Sequence, residues 1–174
     1  SSADGMSHRK DNTFIWITSE QSRDDVQIVR AGFDAILTGG NTVRNDNPRM
    51  NARVNFEVNQ PQKILLTSQK INKESNFFKT GDVIINRSSD LNKVITELSN
   101  TEINSILVEA GPNLVKAFLE NHLVDEIIIY KSNITLGDEG VSWFENKTIE
   151  SLGFDLKSSL KINDDSKETY LKRT

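Results

Sequence analysis

Five short runs of isoleucine, leucine and valine constrain this chain more than any other feature. They read "DAILTGG" (34–40), "KILLTS" (63–68), "DVIINR" (82–87), "SILVEA" (105–110) and "EIIIYKSN" (126–133). Successive side chains of a strand point to opposite faces, so a run that is apolar throughout needs both faces covered. Helical patterns separate the runs. Residues 18–33, "TSEQSRDDVQIVRAGF", place Val26, Val29 and Phe33 on one face, and Thr18 with Gln21 fits a capping box. "NTVRND" (41–46) reads as a helical turn that stops before Pro48, because a following proline disfavours helix. Further helices are expected around 90–99 and over 112–122. Alternating strand and helix predicts an α/β fold, with a mixed, mostly parallel sheet and helices on both faces.

The tail departs from that rhythm. "LGFDLKSSLKI" (152–162) and "KETYLKRT" (167–174) alternate in polarity around "NDDS", which predicts an antiparallel hairpin closing the sheet edge. Residues 50–62 and 134–150 read as loops or short helices. With no linker or repeat in view, 1–174 reads as a single domain.

Composition narrows the chemistry. There is no cysteine, which excludes disulfides, thiolate metal sites and a cysteine nucleophile. Two histidines, His8 and His122, are far apart in sequence and argue against a histidine zinc site; no metal is expected. His122 reads as a partner of a helix C-terminus, and His8 sits in a polar stretch that reads as mobile. A net charge of -4, from 25 acids and 21 bases, argues against a general nucleic-acid surface. No apolar run has membrane-spanning length and no leader is evident, so the cytoplasm is the expected compartment.

The stretch "ILVEAGPNLVKAFLE" (106–120) ends an apolar strand in Glu109, Ala110, Gly111 and Pro112 just before a helix. A helix start carries unpaired N–H groups and partial positive charge, glycine admits close approach, and proline at the first turn loses no hydrogen bond. The motif is either a seat for a phosphate or a plain tight turn. No GxGxxG occurs, so the usual dinucleotide fingerprint is absent. "LTGGNTV" repeats the arrangement, with Gly39 and Gly40 for close approach and Asn41 or Thr42 as a cap. Two such turns at strand carboxyl ends suggest a ligand with more than one anionic group, such as a dinucleotide. "RNDNPRMNAR" (44–53) holds three arginines and is either a solvated loop or a pocket that grips a phosphate, which Arg30 could join. Trp16 is either core or a flat wall for an aromatic ring.

Three stretches, "SSADG", "WITSEQSRDDVQIVRAGFDAILTGGNTVRNDNPRM" and "INSILVEAGPNLVKAFLENHLVDEIIIY", resemble the reductase domain of the bifunctional riboflavin-biosynthesis deaminase/reductase. The resemblance implies a dihydrofolate-reductase-like three-layer fold and reduction of 5-amino-6-(5-phosphoribosylamino)uracil with NADPH. Trp16, Thr42, Asp46 and Ser68 fall where the family contacts the dinucleotide, as do Gly111, Pro112, Asn113, Leu114, Val115 and Lys116. Arg30, Met50, Arg53 and Glu109 fall where it contacts substrate. On this resemblance Glu109 orients the sugar or passes a proton, Asp46 holds a ribose hydroxyl, and Ser68, with Gln69 or Lys70, faces the 2′-phosphate of NADPH. Family habit implies a homodimer.

The departures are specific. The deaminase partner needs a Cys-x-x-Cys, so none of it lies in this chain. The family's first strand, which carries a lysine, would precede Ser1. Phe14 and Ile15 stand where Ser-Gln is frequent, and Ala110 replaces a frequent glycine. A pterin reductase of the same fold, whose ring-facing carboxylate would be Asp25, is one alternative. The others are a non-catalytic NADP-binding module and a plain scaffold.

Overall fold

The computed structural model describes residues 1–11, 13, 15–145 and 147–174. In chain order the elements are β1 (Met6–Arg9), α1 (Glu20–Ala31), β2 (Ala35–Gly39), α2 (Gly40–Asp46), β3 (Gln62–Leu66), β4 (Val83–Asn86), α3 (Leu91–Ser99), β5 (Ile106–Val108), α4 (Pro112–Glu120), β6 (Glu126–Lys131), β7 (Gly140–Ser142), β8 (Phe154–Ile162) and β9 (Asp165–Lys172). Short 3-10 turns cover Asn76–Lys79, Gly137–Glu139 and Glu150–Leu152. The chain forms two compact units, Val26–Leu114 and Ser1–Asp25 with Val115–Thr174.

In the first unit four parallel strands run in the order β4-β3-β2-β5. Leu37 at the centre pairs with Ile64 on one side and Val108 on the other. Ala35, Ile36, Leu37 and Thr38 are buried, as an all-apolar run predicts for an inner strand. Ile36, Leu65, Val43, Met50 and Phe77 form one core cluster, and burying each such side chain contributes about 1.5–3 kcal/mol. α3 begins where Asp90 accepts the Lys93 N–H at 3.1 Å, and Leu91, Val94 and Leu98 bury one stripe. α2 ends at Asn47, whose left-handed φ of 43° turns the chain before Pro48.

In the second unit β6, β9 and β8 form an antiparallel sheet in that order around Phe154, Tyr170 and Ile149. The expected hairpin forms, with Ile162 opposite Asp165 and a left-handed Asn163 (φ 53°) in the turn. Its partner differs from expectation: β6, read as a member of the parallel run, pairs antiparallel with β9. An apolar run of that length fits either direction, so direction was beyond the reach of periodicity.

His8 is a second correction. It lies on β1, opposite Val141 of β7, and not in a mobile stretch. His122 follows α4 with φ 57°; its N–H bonds to the Leu119 carbonyl and the Leu123 N–H to the Phe118 carbonyl, the pattern that closes a helix with a left-handed residue.

The helix expected over 18–33 runs Glu20–Ala31, and the Thr18–Gln21 capping box does not form. Ser19 caps it instead, its Oγ accepting the Ser22 N–H at 3.3 Å. Asp165, brought in by the hairpin turn, accepts from Ser19 N–H, Ser19 Oγ and Ser22 Oγ at 2.6–2.7 Å. That tertiary cap moves the helix start, and no local pattern announces it.

Candidate active site

Within Val26–Leu114 the parallel strands bring their carboxyl ends to one edge, where ligands of α/β sheets collect. Gly39, Ser68, Arg87 and Glu109 stand at or just past those ends.

At the β2–α2 turn, Gly39 is the N-cap and no side chain caps the helix. Asn41 and Thr42, expected as caps, lie inside the first turn. A Cβ on Gly40 would stand 2.5 Å from Thr67 Oγ1 and 2.8 Å from Thr67 Cβ, so glycine lets α2 start hard against the end of β3. The β5–α4 turn is different. Gly111 has no left-handed φ, and nothing among the described residues lies within 4 Å of where its Cβ would stand. Neither backbone geometry nor packing among the described residues demands glycine there. Pro112 then opens α4, where a missing N–H costs nothing.

Arg30, in the last turn of α1, meets Glu109 in a bidentate ion pair. Its Nε donates to Glu109 Oε1 at 2.7 Å and its Nη2 to Oε2 at 2.6 Å. The pair is mostly enclosed, with side chains 11% and 23% exposed. Arg30 Nη1 also donates to Gln27 Oε1 at 3.4 Å and to the Asn51 carbonyl at 3.3 Å. Gln27 Oε1 accepts the Arg53 N–H at 3.3 Å, which ties the arginine loop to the same helix. The far side of that loop is pinned by Gln60, whose amide exchanges two 2.9 Å bonds with Ala52.

The Arg53 guanidinium donates from Nη1 to Asn51 Oδ1 at 3.3 Å. Burial, then the nearby charges of Arg30 and Arg49, push its guanidinium below the usual value, with Glu109 offsetting part of that. Positive charge is thus concentrated here beyond what the one carboxylate neutralises. Met50, expected at the substrate, has its side chain in the core cluster, 4% exposed, on a backbone with φ 48°.

Ser68 follows β3 and is exposed. Its carbonyl accepts from Arg87 Nη1 at 3.3 Å. Arg87 is the residue that sequence reasoning missed, although "DVIINR" ends a strand on a cation. Gln69 and Lys70, the expected helpers, are exposed. Thr42 and Asp46 both ride on α2, with Asp46 as its last residue.

Asn113 and Leu114, in the first turn of α4, lie in this unit, whereas Trp16, Val115 and Lys116 belong to the other. Trp16 is 61% exposed, which removes the core reading, and the Arg23 guanidinium lies 4.1 Å from its ring centre. Val115 is half-buried on α4. Lys116 pairs with Glu145 at 2.7 Å and Glu120 at 3.8 Å, and the Glu145 bond raises its pKa. Asp25 accepts from Tyr130 Oη and Lys167 Nζ; burial works to raise its pKa, but those two bonds outweigh it and hold it low. Phe14 lies outside the described residues.

A concavity of about 790 Å³ opens at the opposite, amino ends of the same strands. Asp34, Gln62 and Glu102 are among its lining residues. Asp34 Oδ2 already accepts the Asn104 and Ser105 N–H groups at 2.9 Å and Ser105 Oγ at 3.0 Å.

A parallel sheet with two helix starts and a guanidinium–carboxylate pair at its carboxyl edge defines an α/β enzyme domain of the small-ligand type. The RibD C-terminal domain family matches residues 1–167, and the chain belongs to that family. It is 30% identical to the riboflavin biosynthesis protein RibD of Haemophilus influenzae, covering 97% of this chain and 56% of that one. A 5-amino-6-(5-phosphoribosylamino)uracil reductase of Buchnera aphidicola is 27% identical, covering 86% of this chain and 92% of its own length. The solved structure of Acinetobacter baumannii RibD superposes with a TM-score of 0.89 at 25% identity, over 99% of this chain and 56% of that one. The chain therefore spans little more than half of the RibD relatives it matches.

Proposed function

We propose that this chain reduces 5-amino-6-(5-phosphoribosylamino)uracil to the ribitylamino compound with NADPH, a step of riboflavin formation. The observation that carries this reading is the Arg30–Glu109 pair linked through Gln27 to Arg53. It sets one oriented carboxylate beside an excess of positive charge, as a phosphorylated sugar requires. A relative named for this reaction is matched over nearly its whole length. The committed bonds of Asp25 speak against a pterin reading, in which that carboxylate would face the ring.

The residues present fit a nicotinamide dinucleotide. Gly111 leaves open space where a Cβ would stand, and α2 begins without a side-chain cap. Backbone N–H groups at these two helix starts suit pyrophosphate oxygens. Thr42 and Asp46 on α2 would take the remaining polar groups, Asp46 a ribose hydroxyl. Ser68 and Arg87 together suit a 2′-phosphate, which favours NADPH over NADH. When bound, the cofactor supplies the hydride that adds to C1′ of the ring-opened imine of the substrate.

The chain's own residues align that carbon. Arg53 holds the phosphate end. Each Glu109 oxygen keeps a lone pair after accepting from Arg30, and these accept hydroxyls of the opened sugar. Glu109 also stands as the candidate group for passing the proton that the new amine requires. Arg30 acts through Glu109 and the Asn51 carbonyl, as a positioning residue.

Turnover of NADPH with the phosphoribosylaminouracil and with dihydrofolate tests this directly. Oxidation with the former and none with the latter is expected; the reverse overturns the assignment.

A further inference from the structure

Lys63 is the second residue of β3 and only 2% exposed, an unusual site for a lysine. Its neighbours in the strand are Ile64, Leu65 and Leu66, and an aliphatic side chain would satisfy the sheet. Burying an amine is unfavourable unless its N–H groups are bonded. Here Nζ donates to the Phe77 carbonyl and to Thr80 Oγ1, the latter at 2.7 Å, and lies 5.0 Å from the centre of the Phe77 ring. Burial lowers its pKa to about 8. A neutral amine still carries two protons, so both bonds survive loss of the third.

The contacts continue outward. Thr80 Oγ accepts from Lys63 and donates to the Arg49 carbonyl at 3.1 Å, which fixes the direction of its one proton. From the same turn, the Asn76 N–H donates to Asn47 Oδ1 at 2.7 Å, and Asn76 Nδ2 to the Asn47 carbonyl at 3.4 Å. Asn47 and Met50 both hold left-handed φ values, 43° and 48°; asparagine adopts that region readily, but methionine keeps it only under outside constraint. The turn Asn76–Lys79, with Thr80, supplies that constraint.

We propose that Lys63 and Thr80 are positioning residues for the arginine loop, linking the buried sheet to the backbone at Arg49 and so setting where Arg53 meets the substrate phosphate. The inference rests on the substrate assignment above. A merely structural role for the turn would lower stability and leave substrate affinity alone. A positioning role changes KM for the phosphorylated substrate while kcat and the KM for NADPH hold.

Thr80→Val removes the hydroxyl at constant shape and leaves the Lys63–Phe77 bond in place. KM for the phosphoribosylaminouracil should rise about fivefold, the factor that one neutral hydrogen bond carries, with kcat unchanged. Thr80→Ser should restore the wild-type value. Lys63→Met should reproduce the rise if it folds; the Thr80 pair decides the matter if it does not. Arg53→Ala, measured alongside, tells the two readings apart. A rise in Arg53→Ala with none in Thr80→Val overturns the relay and leaves the substrate assignment standing. No rise in either overturns both. An equal rise in both KM values for Thr80→Val indicates general damage and also overturns the relay.

Discussion

The two ends of the parallel sheet are built from the same four strands and differ in what holds their carboxylates and in the charge around them. At the amino ends lies a concavity of about 790 Å³, and its Asp34 is already bonded to three donors of the 104–105 turn. At the carboxyl ends the Arg30–Glu109 pair leaves lone pairs on both carboxylate oxygens, and Arg53 stands among further positive charge. Volume favours the first end; the second holds a carboxylate oriented by an arginine beside further positive charge. A carboxylate that ties a distant backbone turn to its strand serves the fold, whereas one held in a bidentate arginine pair beside further cations is poised for a polar ligand. The comparison teaches that a site is recognised by an oriented carboxylate beside uncompensated positive charge more than by the size of a hollow.

The sharpest way to break this contrast is Glu109→Gln. The substitution keeps the shape but turns one acceptor into a donor facing the Arg30 guanidinium. Turnover at saturating substrate should fall roughly hundredfold, the scale of a lost orienting or proton-transfer group. Full turnover in steady-state assays would show that the carboxyl edge carries no chemistry through this residue.

Much of that edge was legible in the sequence, and the reasons are local. "AGP" ahead of a helical pattern and "TGG" ahead of another each encode a strand end and a helix start in adjacent residues. The order of strands and helices followed from the runs of isoleucine, leucine and valine and the helical patterns between them. What stayed hidden depends on partners distant in sequence. The Arg30–Glu109 pair joins residues 79 apart, and the helix cap from Asp165 reaches back across 143 to 146 positions. The left-handed Met50, read as a substrate contact, is core because Phe77 and Leu65 come to meet it. Arg87 escaped notice because nothing around residue 87 says that β4 will lie beside β3, bringing its guanidinium to the Ser68 carbonyl.

Arg87 gives a second, smaller test of the carboxyl edge. It is exposed, so its attraction for a phosphate is screened and worth less than a buried contact. Arg87→Ala should raise KM for NADPH about tenfold, near 1.4 kcal/mol, and leave the KM for NADH unchanged. Equal changes for the two cofactors would mean that the residue supports the β3–β4 ends and reads no 2′-phosphate.

Asp34→Asn, at the other end, should be the quietest in kinetics and visible only in stability. The bonds from the Asn104 N–H and from Ser105 hold its carboxyl below the usual 3.8. A carboxyl depressed on folding contributes stability that is complete above the unfolded value and fades as pH falls through the lower, folded one. At pH 7 the variant should therefore unfold at a lower temperature than the parent, with kcat and both KM values unchanged. Below pH 3.8 that gap should narrow, because the parent then loses the same interaction to protonation. Thermal unfolding followed from pH 7 to pH 3, together with one kinetic series at pH 7, reads both halves of the expectation. A fall in kcat/KM at unchanged stability would make the amino-end hollow a working site and invert the comparison between the two ends of the sheet.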